Sequence, residues 1–464
     1  MHREIKPLHI AMVLATILLG VQSCSPRANL KAAGLTVKQL RSDYRLACLA
    51  IAESYVGLEE KTGMDPSAFL EAGKRREEGI GRRVGAGASE DFIEALRSLR
   101  AEFPDGHFDW SLGPRLGRPS SMNLGLIITM MGDTPTVGAT DWDREDARGR
   151  PLPGDTIISW DGLPALEAVE TTGNLIPQST RRSTLEFAAR FLAFEPAWAP
   201  LRSGLHEVKI RFRRVDGSEG EARLAWKKGA PKLTNNGLPS LEEIPEDAFS
   251  AQEALYYYTR EIAGRKVAVI HPRDFNSWSA PDLDLLLAMA GRDKAEVLVI
   301  DLKDSAGGEF LPVQIFLKAL GIDERLSFDI RMRDPASGKI VEDVEFHPAL
   351  GQDESCANSW KGEVILRTNS VAGSACDFFA FAFRRAGRGS IIGEATAGRG
   401  VGSDTLRLPH SGASIEIPKR DRAFTGPGGR VEGRGVEVDY FGEAELPALL
   451  EAFWNPRLRT HKDS

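Results

Sequence analysis

The sequence predicts an α/β protein, because apolar strands and helices alternate along its second half. Arg265–His271 (RKVAVIH) is apolar enough for a buried strand, and the segment from Ser279 (SAPDLDLLLAMAG) has the start and stop signals of a helix. A second strand runs through Glu296–Gly308 (EVLVIDLKDSAGG) into a glycine turn, and the helical segment FLPVQIFLKALG follows. This alternation indicates a sheet covered by helices.

The first 23 residues have the pattern of an export signal. Two basic residues precede an apolar stretch, Leu8–Gly20, that is too short for a transmembrane helix. VQSC at Val21–Cys24 resembles the lipobox of bacterial lipoproteins, which implies a lipid on Cys24 and attachment to a membrane of the cell envelope. The alternative is a plain secretory signal followed by an incidental cysteine. Either interpretation predicts a protein exported to the periplasm or the exterior.

Two regions separate this signal from the α/β domain. Residues 24–112 carry apolar positions at three- and four-residue steps, which predicts helices, one of them capped by Ser89. Residues 118–228 change to short apolar strands with turn signals, among them a tight hairpin at Asp161-Gly162. A segment rich in Pro, Gly and Asn follows, and it predicts a linker over residues 229–254.

Composition and motifs exclude several classes of function. The 464 residues carry a net charge of −7 with scattered basic residues, which argues against a nucleic-acid partner. No glycine-rich nucleotide-binding motif follows a strand, and no metal-ligand spacing occurs. Beyond Cys24 three cysteines remain, so at most one disulfide can form among them. We therefore expect no cofactor and no metal.

The segment with the clearest chemistry is Asn369–Gly387 (NSVAGSACDFFAFAFRRAG). Ser374 lies where the strand GEVILRT gives way to a helix that stops at Gly387. The backbone N–H groups and positive dipole of a helix N-terminus suit both a nucleophilic serine and the oxyanion that it forms.

These residues resemble the active-serine segment of the tail-specific (C-terminal-processing) serine proteases. The family pattern S-A-S-A-S-E-I-F-A precedes G-E-x-T-x-G-K-G, and GEATAGRG stands here at the second place. Ser374 takes the position of the family's nucleophile, and Arg399 takes the position of its lysine base. Arginine keeps its proton in proteins, so Arg399 cannot act as a general base.

A tricorn-core-like branch of the same family uses a histidine base that is oriented by a glutamate. FPDGHF resembles the histidine segment of that branch and marks His107, and GGRVEGRGVEVD resembles the closing segment and marks Glu432. The resemblance thus implies a Ser–His–acid triad. His271 is the rival to His107 because it ends a core strand, and Glu437 and Asp439 compete with Glu432.

The same resemblance implies a fold and an activity. It predicts a crotonase-like ββα spiral over residues 255–446, with a PDZ-like domain over residues 118–228 that could capture C-terminal peptides by strand addition. An N–H of Gly307 or Gly308 would join that of Ala375 as the oxyanion donors. The expected activity is hydrolysis of polypeptides by acyl transfer.

Two alternatives remain at this stage. The chain could be a peptide-binding homologue that has lost its chemistry, since Arg399 replaces the lysine and Cys376 and Gly373 depart from the serine pattern. A crotonase-type acyl enzyme is more distant, because nothing signals a coenzyme A site.

Overall fold

We describe a computed structural model that carries all side chains. It describes residues 34–82, 87–116, 122–142, 149–195, 207–228, 244–245, 247–322, 327–346, 355–425 and 428–455. The chain divides into two compact units, which are described separately. Unit 1 is drawn from Met1–Leu238, Arg331–Val341 and Val401–Asp421, and unit 2 from the remaining segments.

The α-helices are numbered in chain order. They are α1 (Val37–Ser54), α2 (Leu58–Thr62), α3 (Pro66–Gly79), α4 (Ala88–Ala101), α5 (Ala165–Gly173), α6 (Arg181–Leu192), α7 (Ala280–Arg292), α8 (Phe310–Ala319), α9 (Ala375–Arg385) and α10 (Leu446–Trp454).

The strands are numbered in the same way. They are β1 (Asp109–Ser111), β2 (Met122–Asn123), β3 (Leu126–Met131), β4 (Thr134–Thr140), β5 (Thr156–Trp160), β6 (Leu163–Pro164), β7 (Phe194–Glu195), β8 (Glu207–Arg213), β9 (Glu219–Ala225), β10 (Lys227–Lys228), β11 (Phe249–Ala251), β12 (Leu255–Ile262), β13 (Arg265–Pro272), β14 (Val297–Asp301), β15 (Ser327–Arg333), β16 (Ile340–Phe346), β17 (Glu363–Thr368), β18 (Ser390–Gly393), β19 (Val401–Arg407), β20 (Ser414–Phe424) and β21 (Tyr440–Phe441).

The helical part of unit 1 is built on α1, α3 and α4, whose apolar faces share one core. Helix α1 begins with a capping box in which Thr36 and Gln39 exchange hydrogen bonds. The prediction that Ser89 caps α4 is wrong. The helix begins earlier, at an N-cap on Gly87 whose N–H donates to the Glu90 carboxylate at 3.3 Å, and Ser89 is buried within the first turn.

The remainder of unit 1 contains the predicted strands and turns. Strands β3, β4, β5, β8 and β9 form an antiparallel sheet in that order, with β6 paired to β5. The predicted hairpin is present between β5 and β6, where Asp161 and Gly162 both adopt positive φ. Helices α5 and α6 pack on this sheet around a core that includes the fully buried Trp160.

Unit 2 contains a seven-stranded sheet in the order β11-β12-β13-β14-β17-β18-β21. The pairs from β13 through β14, β17 and β18 to β21 are parallel. The apolar residues of β13, β14, β17 and β18 are buried, as in a sheet covered on both faces. Ser279 is the N-cap of α7, as the sequence predicted.

This parallel arrangement brings three loops together. Residues 302–308 follow β14, residues 369–374 follow β17 and residues 394–400 follow β18. The carboxyl ends of parallel strands lie at one edge of a sheet, where α/β proteins place their functional groups. The glycine turn, the serine segment and the GEATAGRG segment therefore meet at one edge of unit 2.

Candidate active site

Ser374 has a strained backbone at the N-terminus of α9. It is the N-cap residue of that helix, with φ of 60° and ψ of −119°. A non-glycine residue adopts such angles at an energetic cost and does so mainly at functional sites. A sharp turn from a strand into a helix, as between β17 and α9, is the arrangement that exposes the nucleophilic side chain in α/β-hydrolases.

The carboxylate of Asp377 holds this turn. One of its oxygens, Oδ2, accepts the N–H of Ser374 at 2.8 Å and the N–H of Arg399 at 2.8 Å. The other, Oδ1, accepts the N–H of Gly398 at 2.9 Å and the hydroxyl of Thr396. A single side chain therefore joins the serine to the segment that follows β18.

The hydrogen-bond pattern around Asp377 suits an ionised carboxylate. Thr396 Oγ1 accepts the N–H of Val436 at 2.8 Å, so its own proton is free to point at Asp377. All four partners of the carboxylate are then donors, which suits an acceptor-only group. Burial raises the pKa of Asp377 above its ordinary value, while the Thr396 hydroxyl, the N–H groups of Arg399 and Gly398 and the Arg399 charge oppose that effect.

The glycine turn after β14 lies against the serine. A Cβ built on Gly307 would stand 2.5 Å from the carbonyl oxygen of Gly373, 2.9 Å from Cβ of Ser374 and 3.2 Å from the nitrogen of Ala375. Gly307 and Gly308 have φ of 81° and 143°, which side chains rarely tolerate. A glycine at position 307 is thus required for the backbone to approach Ser374 this closely.

The two glycine N–H groups have different surroundings. Burial raises the pKa of the Cys376 thiol to about 12, and the N–H of Gly307, which faces its sulfur, opposes that rise. Among the described residues, the backbone bonds made outside helices and strands include none donated by the N–H of Gly308 or Ala375. Ala375 directly follows Ser374, and Gly308 directly follows the glycine that lies against it.

Glu432 is connected to the same segment. It is buried, and its Oε2 accepts the N–H of Gly400 at 2.8 Å. Its rivals differ from it, because Glu437 and Asp439 are exposed, and Asp439 accepts the N–H of Ile391 at 2.7 Å. The buried position makes Glu432 the better candidate for a catalytic acid.

His107 belongs to unit 1, in the turn between α4 and β1. The backbone N–H of His107 donates to the carboxylate of Asp105 at 2.9 Å. Asp105 is buried, and its carboxylate also accepts the hydroxyl of Tyr55 at 2.9 Å. The rival His271 belongs to unit 2, where it is buried at the end of β13 beside the ring of Tyr256. The histidine turn is therefore anchored by its own local contacts.

Several expectations about attachment and cofactors concern other parts of the chain. Cys24 and the export signal lie outside the described residues. Among the residues described, no helix is long and apolar enough to cross a membrane. In the same residues no group of three or more His, Cys, Asp or Glu side chains could hold a metal ion.

The model of the family described as "Peptidase family S41" matches residues 266–441, which contain Ser374, Glu432 and both glycines. Residues 266–441 belong to peptidase family S41. The prediction of a tail-specific protease family is confirmed for this region.

Relatives of this S41 region carry protease names. The tail-specific protease of Haemophilus influenzae is 28% identical over 141 residues, which are 30% of this chain and 19% of that protein. The tricorn protease of Thermoplasma acidophilum is 38% identical over 82 residues, which are 18% of this chain and 8% of that protein. The chain thus matches less than a fifth of the length of either relative.

A solved structure shares the fold. The structure of mature CPAF complexed with lactacystin has a TM-score of 0.63 and 14% sequence identity, and the match covers 87% of this chain and 94% of that one. At this identity the likeness concerns the fold alone, and it confirms the mixed α/β class.

Asp377→Asn tests how strongly the carboxylate holds the serine turn. An amide presents an NH₂ group to donors, so buried N–H groups lose their acceptor, and we expect a stability loss of about 1–3 kcal/mol per lost partner. Denaturant unfolding measures this loss. Asp282→Asn is the matched control, because Asp282 accepts the N–H of Ser279 in the same way at the exposed N-terminus of α7. Equal losses in the two variants would contradict this account.

Proposed function

We propose that the protein is an exported serine endopeptidase that hydrolyses polypeptides through an acyl-enzyme. The observation that carries the proposal is the strained Ser374 at a helix N-terminus, with the glycine turn of Gly307 packed against it. Membership of residues 266–441 in peptidase family S41 supports the reaction class.

In the proposed mechanism, Ser374 Oγ attacks the peptide carbonyl carbon while His107 takes the hydroxyl proton. The peptide nitrogen leaves with that proton, and water then cleaves the acyl-serine with His107 again as the base. Glu432 would orient the imidazole and stabilise its charged form. The buried carboxylate of Glu432, fixed by the Gly400 N–H, is suited to such a role.

The oxyanion donors we propose are the N–H groups of Gly308 and Ala375. Gly307 is the less suitable of the two glycines, since its N–H faces the sulfur of Cys376. Its contribution would be to let the backbone pass within van der Waals contact of Ser374. Preorganised N–H groups of this kind supply a large part of the rate enhancement in acyl transfer.

The finer fold and the surrounding domains are proposals as well. We propose a crotonase-like spiral for residues 255–446, a PDZ-like domain for residues 118–228, a helical region over 24–112 and a linker over 229–254. Lipid attachment at Cys24 would hold the protein at a membrane of the cell envelope. The seven-stranded sheet of unit 2 and the six-stranded sheet of β3, β4, β5, β6, β8 and β9 in unit 1 support this division.

Peptide capture by the PDZ-like domain would use its edge strand, β3. Side chains of helix α6 already bond to backbone groups of β3. Glu186 accepts the N–H of Met130 at 2.9 Å, and Arg182 donates to the carbonyl oxygen of Met130 at 3.0 Å. An added peptide strand would have to replace these bonds.

Ser374→Ala should abolish covalent labelling by a fluorophosphonate probe, because the hydroxyl that attacks phosphorus is removed. Protein lacking residues 1–24 is incubated with the probe and labelling is measured by in-gel fluorescence. Ser279→Ala is the control, since Ser279 is also an N-cap serine of unit 2. Wild-type labelling no stronger than that of Ser374→Ala would show that the protein is not a serine hydrolase of this kind, as in the peptide-binding alternative.

His107→Ala should lower kcat on a peptide substrate by about 10²–10⁴-fold, which is the range for loss of a general base. His271→Ala is the matched comparison and should retain its turnover. Unchanged turnover in His107→Ala, with loss in His271→Ala, would transfer the role of base to His271.

A further inference from the structure

Asn369 links the serine segment to the glycine turn. It is buried directly after β17, and its side-chain Oδ1 accepts two N–H groups of its own segment, from Val371 at 3.3 Å and from Ala372 at 3.1 Å. The same oxygen accepts the N–H of Asp304, in the glycine turn, at 3.1 Å. Nδ2 of Asn369 donates to Oδ1 of Asp304 at 2.8 Å. One buried amide thus contacts both loops. The two bonds between Asn369 and Asp304 are called the Asn369–Asp304 clamp below.

The clamp has a fixed polarity. The NH₂ group of Asn369 faces a carboxylate, which only accepts, and the amide oxygen faces backbone N–H groups, which only donate. The oxygen and nitrogen of the amide therefore cannot exchange places without losing bonds. Asp304 has φ of 62°, which is uncommon for a residue with a side chain. Such a conformation persists where surrounding contacts fix it, as the clamp does here.

Other contacts hold different parts of the glycine turn. On one side, the carbonyl oxygen of Gly307 accepts the N–H of Phe275 at 2.8 Å. Toward α9, the thiol of Cys376 lies 3.8 Å from the carbonyl oxygen of Ser305, and a thiol is a weak donor. Of these two polar contacts on the side of the serine, the clamp of Asn369 is therefore the stronger.

The spacing of the two loops decides where the proposed oxyanion donors lie. Gly308 ends the glycine turn, whereas Ala375 directly follows the serine segment. Two N–H groups bind one oxygen well only if both nitrogens lie about 3 Å from it, and a displacement of about 1 Å can lower the rate about 10²-fold. A contact that fixes one loop against the other therefore fixes this spacing.

We propose that Asn369 is a positioning residue for the oxyanion donors, which it aligns by clamping Asp304 to the serine segment. This inference rests on the proposed serine-peptidase function. Asn369 acts through the two loops rather than on the reacting atoms. Loss of the clamp should lower kcat while KM stays near its wild-type value, because aligned donors stabilise the transition state more than the bound substrate.

Asn369→Asp breaks the clamp with little change of shape. The new carboxylate still accepts the backbone N–H groups, but its second oxygen faces the Asp304 carboxylate, so the donor is lost and two like charges meet. We expect kcat for peptide hydrolysis by the full-length protein to fall about 10²-fold, with less than about a 3-fold change in KM. Rates are expressed per Ser374 titrated to completion with the fluorophosphonate probe, so that an unfolded fraction does not enter.

The double variant Asn369→Asp with Asp304→Asn exchanges the two groups of the clamp. An NH₂ group at position 304 then faces a carboxylate at position 369, and the bond is made in the opposite sense. This variant should recover kcat to within about 10-fold of the wild type, as expected for two residues that act as a pair.

Asp304→Gly provides a second test if Asn369→Asp does not fold. Glycine adopts φ near that of Asp304 without strain, so Nδ2 of Asn369 loses its acceptor while the N–H at position 304 can still reach Oδ1. We expect kcat to fall about 10-fold with KM little changed, which is the size of effect for one lost hydrogen bond.

Asn358→Asp is the matched control. The exposed Asn358 also lies beside an aspartate, since its N–H donates to Asp284 at 2.6 Å, and its substitution should leave kcat and KM unchanged. Wild-type kcat in Asn369→Asp overturns the inference, and so does a double variant no more active than Asn369→Asp. A rise in KM at unchanged kcat also overturns it, because that result indicates a residue that binds substrate. Wild-type protein that neither labels with a fluorophosphonate nor hydrolyses peptide contradicts the proposed function itself, and the inference falls with it.

Discussion

The arrangement around Ser374 depends on one buried carboxylate. Asp377 accepts four hydrogen bonds, and through them it joins the serine turn to the segment after β18. Hydrogen bonds to a charged group contribute about 1.5–3 kcal/mol each, which offsets the cost of burying the charge. Strain at Ser374 can persist because its backbone is fixed from a neighbouring loop. Gly400, next in that loop, holds Glu432, so the two proposed catalytic residues of unit 2 share one support.

Unit 2 shows why local sequence alone does not identify such a site. Helices α7 and α9 begin with the same Ser-x-x-Asp pattern, at Ser279 and at Ser374. In both, the aspartate accepts the serine N–H at 2.8 Å. Ser279 has an ordinary extended backbone with φ of −125° at an exposed helix end, whereas Ser374 has φ of 60° above a fully buried Asp377. The difference arises from contacts distant in sequence, which a capping pattern does not encode.

Sequence reasoning succeeded where the signal was local or carried by a motif. Apolar segments predicted strands β13, β14 and β17, and the serine pattern placed Ser374 at the start of α9. It missed Asp377 and Thr396. These two residues connect the serine turn to the segment after β18 through hydrogen bonds between groups more than fifteen residues apart in sequence. It misplaced the cap of α4 at Ser89, since a good capping residue can also lie inside the first turn when Glu90 satisfies the N–H of Gly87.

The most direct test of a nucleophilic Ser374 with backbone oxyanion donors is a crystal structure of the protein inactivated by an organophosphonate. Phosphorus should be bonded to Ser374 Oγ, and one phosphonyl oxygen should lie within about 3 Å of the nitrogens of Gly308 and Ala375. Phosphorus on another residue, or a phosphonyl oxygen turned away from these two N–H groups, would contradict the account.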